Sequence, residues 1–495
     1  MNRLAKMGVD TIFQAAFAPD IPLVNSLRPS PANSKPNSEC VRPSAAKHWA
    51  IVGGGLMGIR LALSLRELGQ RVTIFEASNE LGGLASSWEL NGIRWDRHYH
   101  VISMTDSRLL QFLNELGLDD QIDWVETRTG FYSGGQLYSM SNAFEFLRFP
   151  PLNLIEKLRL GSTIFAASKI RNSDRLESIP VDEWLKRWSG QGTFNKIWKP
   201  LLRAKLGDNH DKVSAAFIWA TIQRMYKARR TGIKKEMFGC VRGGYETILQ
   251  RAKSVIEDKG IELRLNAPVK QVIEADHKIQ VNSNEERQGF DRALLTVPAT
   301  LVPKICPQLS AKESEACNAV EYQGIVCASA LLRKSLSPYY VTNITDDWVP
   351  LTGIIEMTRI VDPALFKGNH LVYLPKYVPQ ENQWMQKTDE SIREEFQHTL
   401  LKMYPKLQMS DFVDFKVSRV KNVMALPILN YSKKVPPIRL SIPGIFTVNS
   451  AHITQGVLNV NETIELAETA LREHLIPSIE AATTGTQSLE PNPVS

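Results

Sequence analysis

Three glycines set two and three residues apart, Gly53, Gly55 and Gly58, lie in the run WAIVGGGLMGIRLALSLRELGQRVTIFE, which ends on an acid, Glu76. A turn without Cβ atoms lets the backbone approach a pyrophosphate, and the third glycine lets the following helix pack closely. Leu56 and Met57 open that helix, whose positive end would face the phosphates. Glu76 follows the strand VTIFE at the spacing where a carboxylate accepts both hydroxyls of an adenosine ribose, and its charge repels a 2′-phosphate. A second pair, Gly82 and Gly83, comes shortly after. These residues serve one chemistry, the binding of the ADP half of a dinucleotide. NADP is disfavoured and FAD is the leading candidate.

The elements that must position these residues recur along the chain. The first block reads strand, glycine turn, helix, strand. A second, GCVRGGYETILQRAKSVIEDKGIELRLNAPVKQVIEADHKIQV from Gly239, reads glycine turn, amphipathic helix and alternating strand, and then FDRALLTVPAT. A third, GIFTVNSAHITQGVLNVNETIELAETALREHL from Gly444, reads buried strand, loop and a long helix opening around Asn459 to Asn461. The pattern predicts an α/β fold: a Rossmann-like dinucleotide domain assembled from discontinuous segments 48–130, 238–300 and 431–476. The two inserts, a helical one over 131–237 and a mixed sheet-and-helix one over 301–430, would form an α+β substrate domain. Residues 1–47 read as a flexible leader and 477–495 as a fraying polar tail.

Composition narrows the function classes. With 495 residues the chain is long enough for two domains sharing a cleft. Its net charge of +7 is spread over 59 basic and 52 acidic side chains. The densest basic cluster, Lys227, Arg229, Arg230, Lys234 and Lys235, lacks interleaved aromatics, so no nucleic-acid partner is expected. Five cysteines form neither a CxxC pair nor a metal-ligand spacing, which suits a reducing cytoplasm and predicts no metal site. No apolar run reaches the about eighteen residues that cross a bilayer. The expected location is cytoplasmic, with peripheral membrane contact compatible. Leu152, Ile155, Leu158 and Ile164 form an apolar stripe at helical spacing, for which core packing is the favoured reading and membrane or substrate contact the alternative.

The continuation LGGLASSWELNGIRWDRHYHVISM, with VRGGYETIL and PGIFTVNSAHITQGVLNVNETIELA, resembles the superfamily of FAD-dependent amine oxidases, protoporphyrinogen oxidases and phytoene desaturases. The resemblance runs in motif order from Trp49 to about His474. It implies FAD, with Gly53, Gly55, Gly58, Gly82 and Gly83 at the diphosphate and Glu76 at the ribose; no cysteine lies in the C-terminal block, so the FAD is expected to be non-covalent. It also implies the Val269 backbone at the adenine, Asn449 beside the ribityl chain, and Val457 to Asn461 at a helix start aimed at the isoalloxazine. Relatives often carry Arg where this chain has Leu84; Arg60 or a backbone amide is the expected substitute. The absence of a second strand-GxGxxG-helix unit argues against a separate nicotinamide domain.

In this superfamily the flavin takes a hydride from a C–H or C–N bond, so the resemblance implies an oxidase or desaturase of a hydrophobic small molecule. His100 falls where the family's chain passes the flavin ring, either as a proton acceptor or, like His98, as a satisfied polar group at a strand end. No convincing aromatic pair flanks Ser450 to Gly456, and Tyr431 is a poor single candidate, which disfavours a simple amine. The runner-up is a redox-neutral enzyme resembling UDP-galactopyranose mutase, whose sugar nucleotide would need Arg203, Arg224, Arg229 or Arg359.

Overall fold

The computed structural model describes residues 46–141, 143–229, 237–284, 286–454 and 457–484. Its centre is a five-stranded parallel sheet of β1 (His48–Val52), β2 (Arg71–Phe75), β3 (Glu262–Arg264), β4 (Arg292–Leu295) and β5 (Ile445–Thr447), in the order β3-β2-β1-β4-β5. Strands adjacent in space thus come from three separated stretches of chain, which is the discontinuous α/β assembly expected. Continuous apolar runs make this arrangement stable, because a parallel sheet is covered on both faces. Trp49 and Ile51 of β1 join the core under helix α1 (Leu56–Glu67), whereas Ala50 and Val52 join the core beneath a three-stranded antiparallel meander. That meander comprises Val269–Ala275, Lys278–Ser283 and Glu286–Phe290.

The second body is a seven-stranded mixed sheet in the order Phe412–Ala425, Tyr322–Leu332, His370–Pro379, Gly353–Glu356, Val341–Ile344, Thr129–Ser133, Gln136–Ser139. One face carries helix Asp389–Met403, through Ile392, Phe396 and Leu400 against Val326, Ala328, Val372 and Leu374. The other face, with Ile325, Cys327, Leu331 and Tyr373, packs against Trp95 and Cys240. Residues 131–139, expected within a helical insert, instead supply the last two strands of this sheet. The cause is local: Gly134 and Gly135 have φ of 60° and 74°, a tight hairpin turn, and alternating side chains flank it.

The helices of residues 154–229 have their own core around Trp184, Phe194, Trp198 and Phe217. The apolar stripe divides here, since Leu152 is buried, Leu158 and Ile164 are half-buried, and Ile155 stands out in solvent. Core packing therefore accounts for only part of it. The Lys227–Lys235 cluster lies outside the described side chains.

Candidate active site and dinucleotide cradle

The glycine turn is held by contacts that exclude larger residues. Gly53 has φ of +115°, and a Cβ on Gly58 would lie 2.0 Å from the Gly53 carbonyl oxygen. Gly82 donates its N–H to the Gly54 carbonyl at 2.9 Å, bringing the second glycine pair onto the first. A Cβ on Gly55 would meet nothing within 4 Å, so the turn is open on the side where a phosphate must enter. Gly55 caps α1 without a side-chain hydrogen bond, and no acid occupies the first turn. The amides of Leu56 and Met57 and the helix dipole are thus available to an anion. The cradle fits a dinucleotide diphosphate.

Glu76 stands at the end of β2 beside the turn. Its Oε2 accepts from Gly54 N at 2.7 Å, and its Oε1 accepts from Ser78 N and Ser78 Oγ at 2.9 and 2.7 Å. The carboxylate is therefore fixed in orientation before any ribose arrives. Its backbone carbonyl accepts from Ala267 N at 2.8 Å, which places Val269, two residues on, along the same edge. Arg60 does not serve the phosphates: it is buried and paired with Glu115 and, at 2.9 Å, with Glu468. The expected substitution of Arg60 for the missing arginine is therefore not met, and the backbone amides of the turn remain as candidate diphosphate contacts.

In the C-terminal block Asn449 is buried and committed to its own turn. Its Oδ1 accepts from Ala451 N at 3.0 Å and its Nδ2 donates to Thr447 Oγ1 at 3.2 Å, leaving one amide hydrogen for a ligand. Asn459 caps helix Val460–Ala470 by accepting from Glu462 N at 3.0 Å, and donates to the Val457 carbonyl at 2.7 Å. Val457 thus sits immediately before a helix N-terminus. Tyr431 donates to the Ala451 carbonyl at 2.7 Å and is buried.

A second group of polar side chains gathers where strand Ile93–Asp96 runs out beneath the substrate sheet. Asp96 is buried and its Oδ1 accepts from Tyr245 N at 2.8 Å, at the start of helix Gly244–Asp258. Only glycine fits at 244, where a Cβ would lie 2.8 Å from that oxygen and φ is +71°. Burial outweighs the helix amides and pushes Asp96 up to about 8, so it is a neutral acid at pH 7. Its Oδ2, the oxygen left to carry the proton, has no partner.

His98 and His100 separate clearly. His98 lies within hydrogen-bond reach of the Leu84 carbonyl through Nδ1 at 3.2 Å and of Ser418 Oγ through Nε2 at 3.1 Å. The carbonyl can only accept, so Nδ1 carries the hydrogen and Ser418 donates to Nε2; His98 is satisfied and structural. His100 packs its ring 4.7 Å from the Tyr245 ring, and its Nδ1 is buried without a partner, as is the Tyr245 hydroxyl. Burial lowers His98 to about 4 and His100 to about 3, so both are neutral at pH 7. Tyr99, between them, shares a hydroxyl hydrogen bond of 3.1 Å with Tyr377. Asp96, Tyr245 and Tyr377 went without a role in the sequence; the dense polar string WDRHYH was the one local signal for Asp96, and the two tyrosines gave none.

Of the arginines of the mutase reading, two are paired with carboxylates of their own. Arg224 pairs with Asp106 at 3.3 Å, and Arg359 with Glu356 at 3.1 Å. Arg203 lines a polar surface cavity of about 290 Å³ with Asp182, Lys199 and His210, and the Arg229 side chain lies outside the described residues.

A parallel sheet with an open glycine cradle, joined to a sheet-and-helix body, has the architecture of an FAD-dependent oxidoreductase fold. The flavin-containing amine oxidoreductase family model matches residues 57–455, and the chain belongs to that family. Zeta-carotene desaturase of Synechocystis is 24% identical over 48% of this chain and 52% of its own length. Protoporphyrinogen oxidase 2 of Arabidopsis thaliana is 25% identical over 34% of each. Both matches span about half or less of those relatives. An oxidoreductase of known structure from Methanosarcina mazei superposes with a TM-score of 0.69 at 17% identity, covering 86% of this chain and all of the other. That likeness concerns the fold. The protein is an enzyme, and its cofactor is FAD. Among the described residues no cluster of metal-binding side chains occurs, and no helix is long and apolar enough to cross a membrane.

Proposed function

We propose that this enzyme oxidises or desaturates a hydrophobic small molecule, taking a hydride from a C–H or C–N bond. Bound FAD supplies the hydride acceptor. Gly53, Gly55, Leu56, Met57, Gly58, Gly82 and Gly83 hold its diphosphate, Glu76 its ribose, Val269 its adenine, and Asn449 and Val457 its flavin end. His100 carries the reading: a neutral ring with a buried, unpartnered Nδ1 can accept a substrate proton while the hydride leaves. Tyr245 orients that ring, and the apolar face of Ile325, Cys327, Leu331 and Tyr373 excludes water. The desaturase and protoporphyrinogen oxidase among the relatives support an isoprenoid-like or tetrapyrrole-like substrate over a simple amine. We place the enzyme in the cytoplasm, at a membrane surface.

The test is anaerobic mixing of purified holoenzyme with hydrophobic polyenes, porphyrinogens, amines and UDP-galactopyranose. Bleaching of the flavin absorbance by a polyene or porphyrinogen supports the reading. Bleaching by amines alone, or isomerisation of the sugar nucleotide without net oxidation, would sink it.

A further inference from the structure

The three most exposed large hydrophobic side chains among the described residues are Phe144, Leu154 and Ile155, at 59%, 61% and 68%. All come from one stretch of twelve residues, where short helix Ala143–Leu147 meets helix Leu154–Lys169 across Pro150 and Pro151. Scattered exposed hydrophobics are ordinary, but the three largest in one corner form a patch.

The frame that presents them is fully bonded. Asn153 Oδ1 accepts from Glu156 N, and Glu156 Oε2 accepts from Asn153 N, both at 2.9 Å, so Leu154 and Ile155 stand on a reciprocally capped first turn. Lys157 donates from Nζ to the Leu147 carbonyl at 2.7 Å and ties this turn to the preceding helix. The patch is therefore fixed outward by polar bonds, not left over from a loose loop.

Its charge is one-sided. Exposed Arg148 lies over the Phe144 ring at 3.9 Å, and Arg159 is exposed one turn beyond Ile155. Neither pairs with a carboxylate among the described residues. The neighbouring acids are occupied: Glu156 holds Lys196 at 2.9 Å, and Glu145 accepts from Ser139 Oγ and Ser141 N at 2.6 and 2.8 Å. Apolar side chains beside unpaired arginines match a surface of acyl chains beneath anionic headgroups.

We propose that Phe144, Leu154 and Ile155, with Arg148 and Arg159, dock this enzyme on an anionic phospholipid bilayer. The inference deepens the membrane placement proposed above but does not depend on the chemistry at His100.

Full-length holoenzyme is floated with phosphatidylcholine vesicles, with and without phosphatidylserine, in the absence of any substrate. The wild type should float with the mixed vesicles. The F144S/L154S/I155S variant should lose about tenfold or more of that binding, with its flavin spectrum unchanged. R148Q/R159Q should lose the preference for phosphatidylserine. The single variant I155S repeats the test if the triple variant loses flavin. Vesicle binding equal to wild type in I155S and in the triple variant would overturn the proposal. So would a wild type that ignores both vesicles, or a patch whose polar variant only turns a dimer into a monomer. Because substrate turnover is not read, failure here leaves the oxidoreductase reading to its own test.

Discussion

At the dinucleotide cradle the contacts are made by backbone within one run of chain, whereas at the His100 pocket they are made by side chains that arrive from far apart. Gly53, Gly55, Gly58 and Glu76 lie within a single strand-turn-helix-strand unit, and each is defined by a local spacing. The pocket joins Asp96 to Tyr245, 149 residues away, and Tyr99 to Tyr377, 278 away. The cradle is also satisfied: Glu76 is bonded through both oxygens. The pocket is not, since Asp96 Oδ2, His100 Nδ1 and the Tyr245 hydroxyl are buried and unpaired. Unpaired buried polar atoms cost free energy in the resting protein, and a site retains them where a ligand or a reaction uses them.

The largest expected effect lies in the pocket. His100→Ala should lower kcat by about 10²–10⁴-fold while flavin content and thermal stability change little, because the ring's Nδ1 has no partner and its one hydrogen bond is local, to the His98 backbone two residues away. Stopped-flow reduction of the bound flavin would read it. Loss of flavin with unchanged turnover per flavin would move His100 from the pocket's chemistry to the cradle's architecture.

Two cradle glycines sharpen the contrast. Gly58→Ala drives a methyl group onto the Gly53 carbonyl and should both lower Tm, at a cost of about 1–3 kcal/mol, and weaken FAD binding by up to ~100-fold. Gly55→Ala meets open space in the protein itself. It should leave the flavin-free Tm unchanged and weaken FAD alone. Equal Tm losses in the two variants would mean that the open side of the turn is not where phosphate enters.

Glu76→Ala tests the cradle's acid, which is bonded through both oxygens where the pocket's Asp96 is bonded through one. Losing a charged acceptor should weaken FAD about 10–100-fold, from about 1.5–3 kcal/mol per such hydrogen bond. Fluorescence titration of the flavin-free protein would measure it. Part of the loss will be structural, since Gly54 and Ser78 lose their acceptor as well. Unchanged affinity would remove Glu76 from the ribose.

These tests also mark what was legible in the chain. The parallel sheet and its cofactor could be read because glycine spacing and strand periodicity are local rules, and β1, α1 and β2 obey all of them. His100 could be singled out, but not separated from His98; that required Leu84 and Ser418, the latter 320 residues distant, to be seen satisfying one ring and not the other. Arg60 was a reasonable stand-in for the missing arginine by position, yet α1 turns it toward Glu115 and Glu468. A helix's sequence gives the spacing of its side chains, and packing decides which face meets the ligand. The same holds for the apolar stripe, where Leu152 turned inward and Ile155 outward on either side of the Asn153 cap.

The smallest effect is the most specific to the pocket. Asp96 ionises at about 3.8 when unfolded and about 8 when folded, so between these values the unfolded chain has released a proton that the folded chain keeps. Its contribution to stability is full below pH 3.8 and is lost as pH rises through 8, at up to about 1.4 kcal/mol per pH unit. His98 and His100 act in the opposite sense, losing stability as pH falls from 6.5 toward 4 and 3. Between pH 6.5 and 8, therefore, Asp96 acts without them. Asp96→Asn keeps an oxygen for Tyr245 N and cannot titrate, so its Tm should vary less over that window than the wild type's. Parallel curves would mean that Asp96 is ionised in the folded enzyme. The site would then hold an anion against the start of the helix that carries Tyr245, in place of a neutral acid.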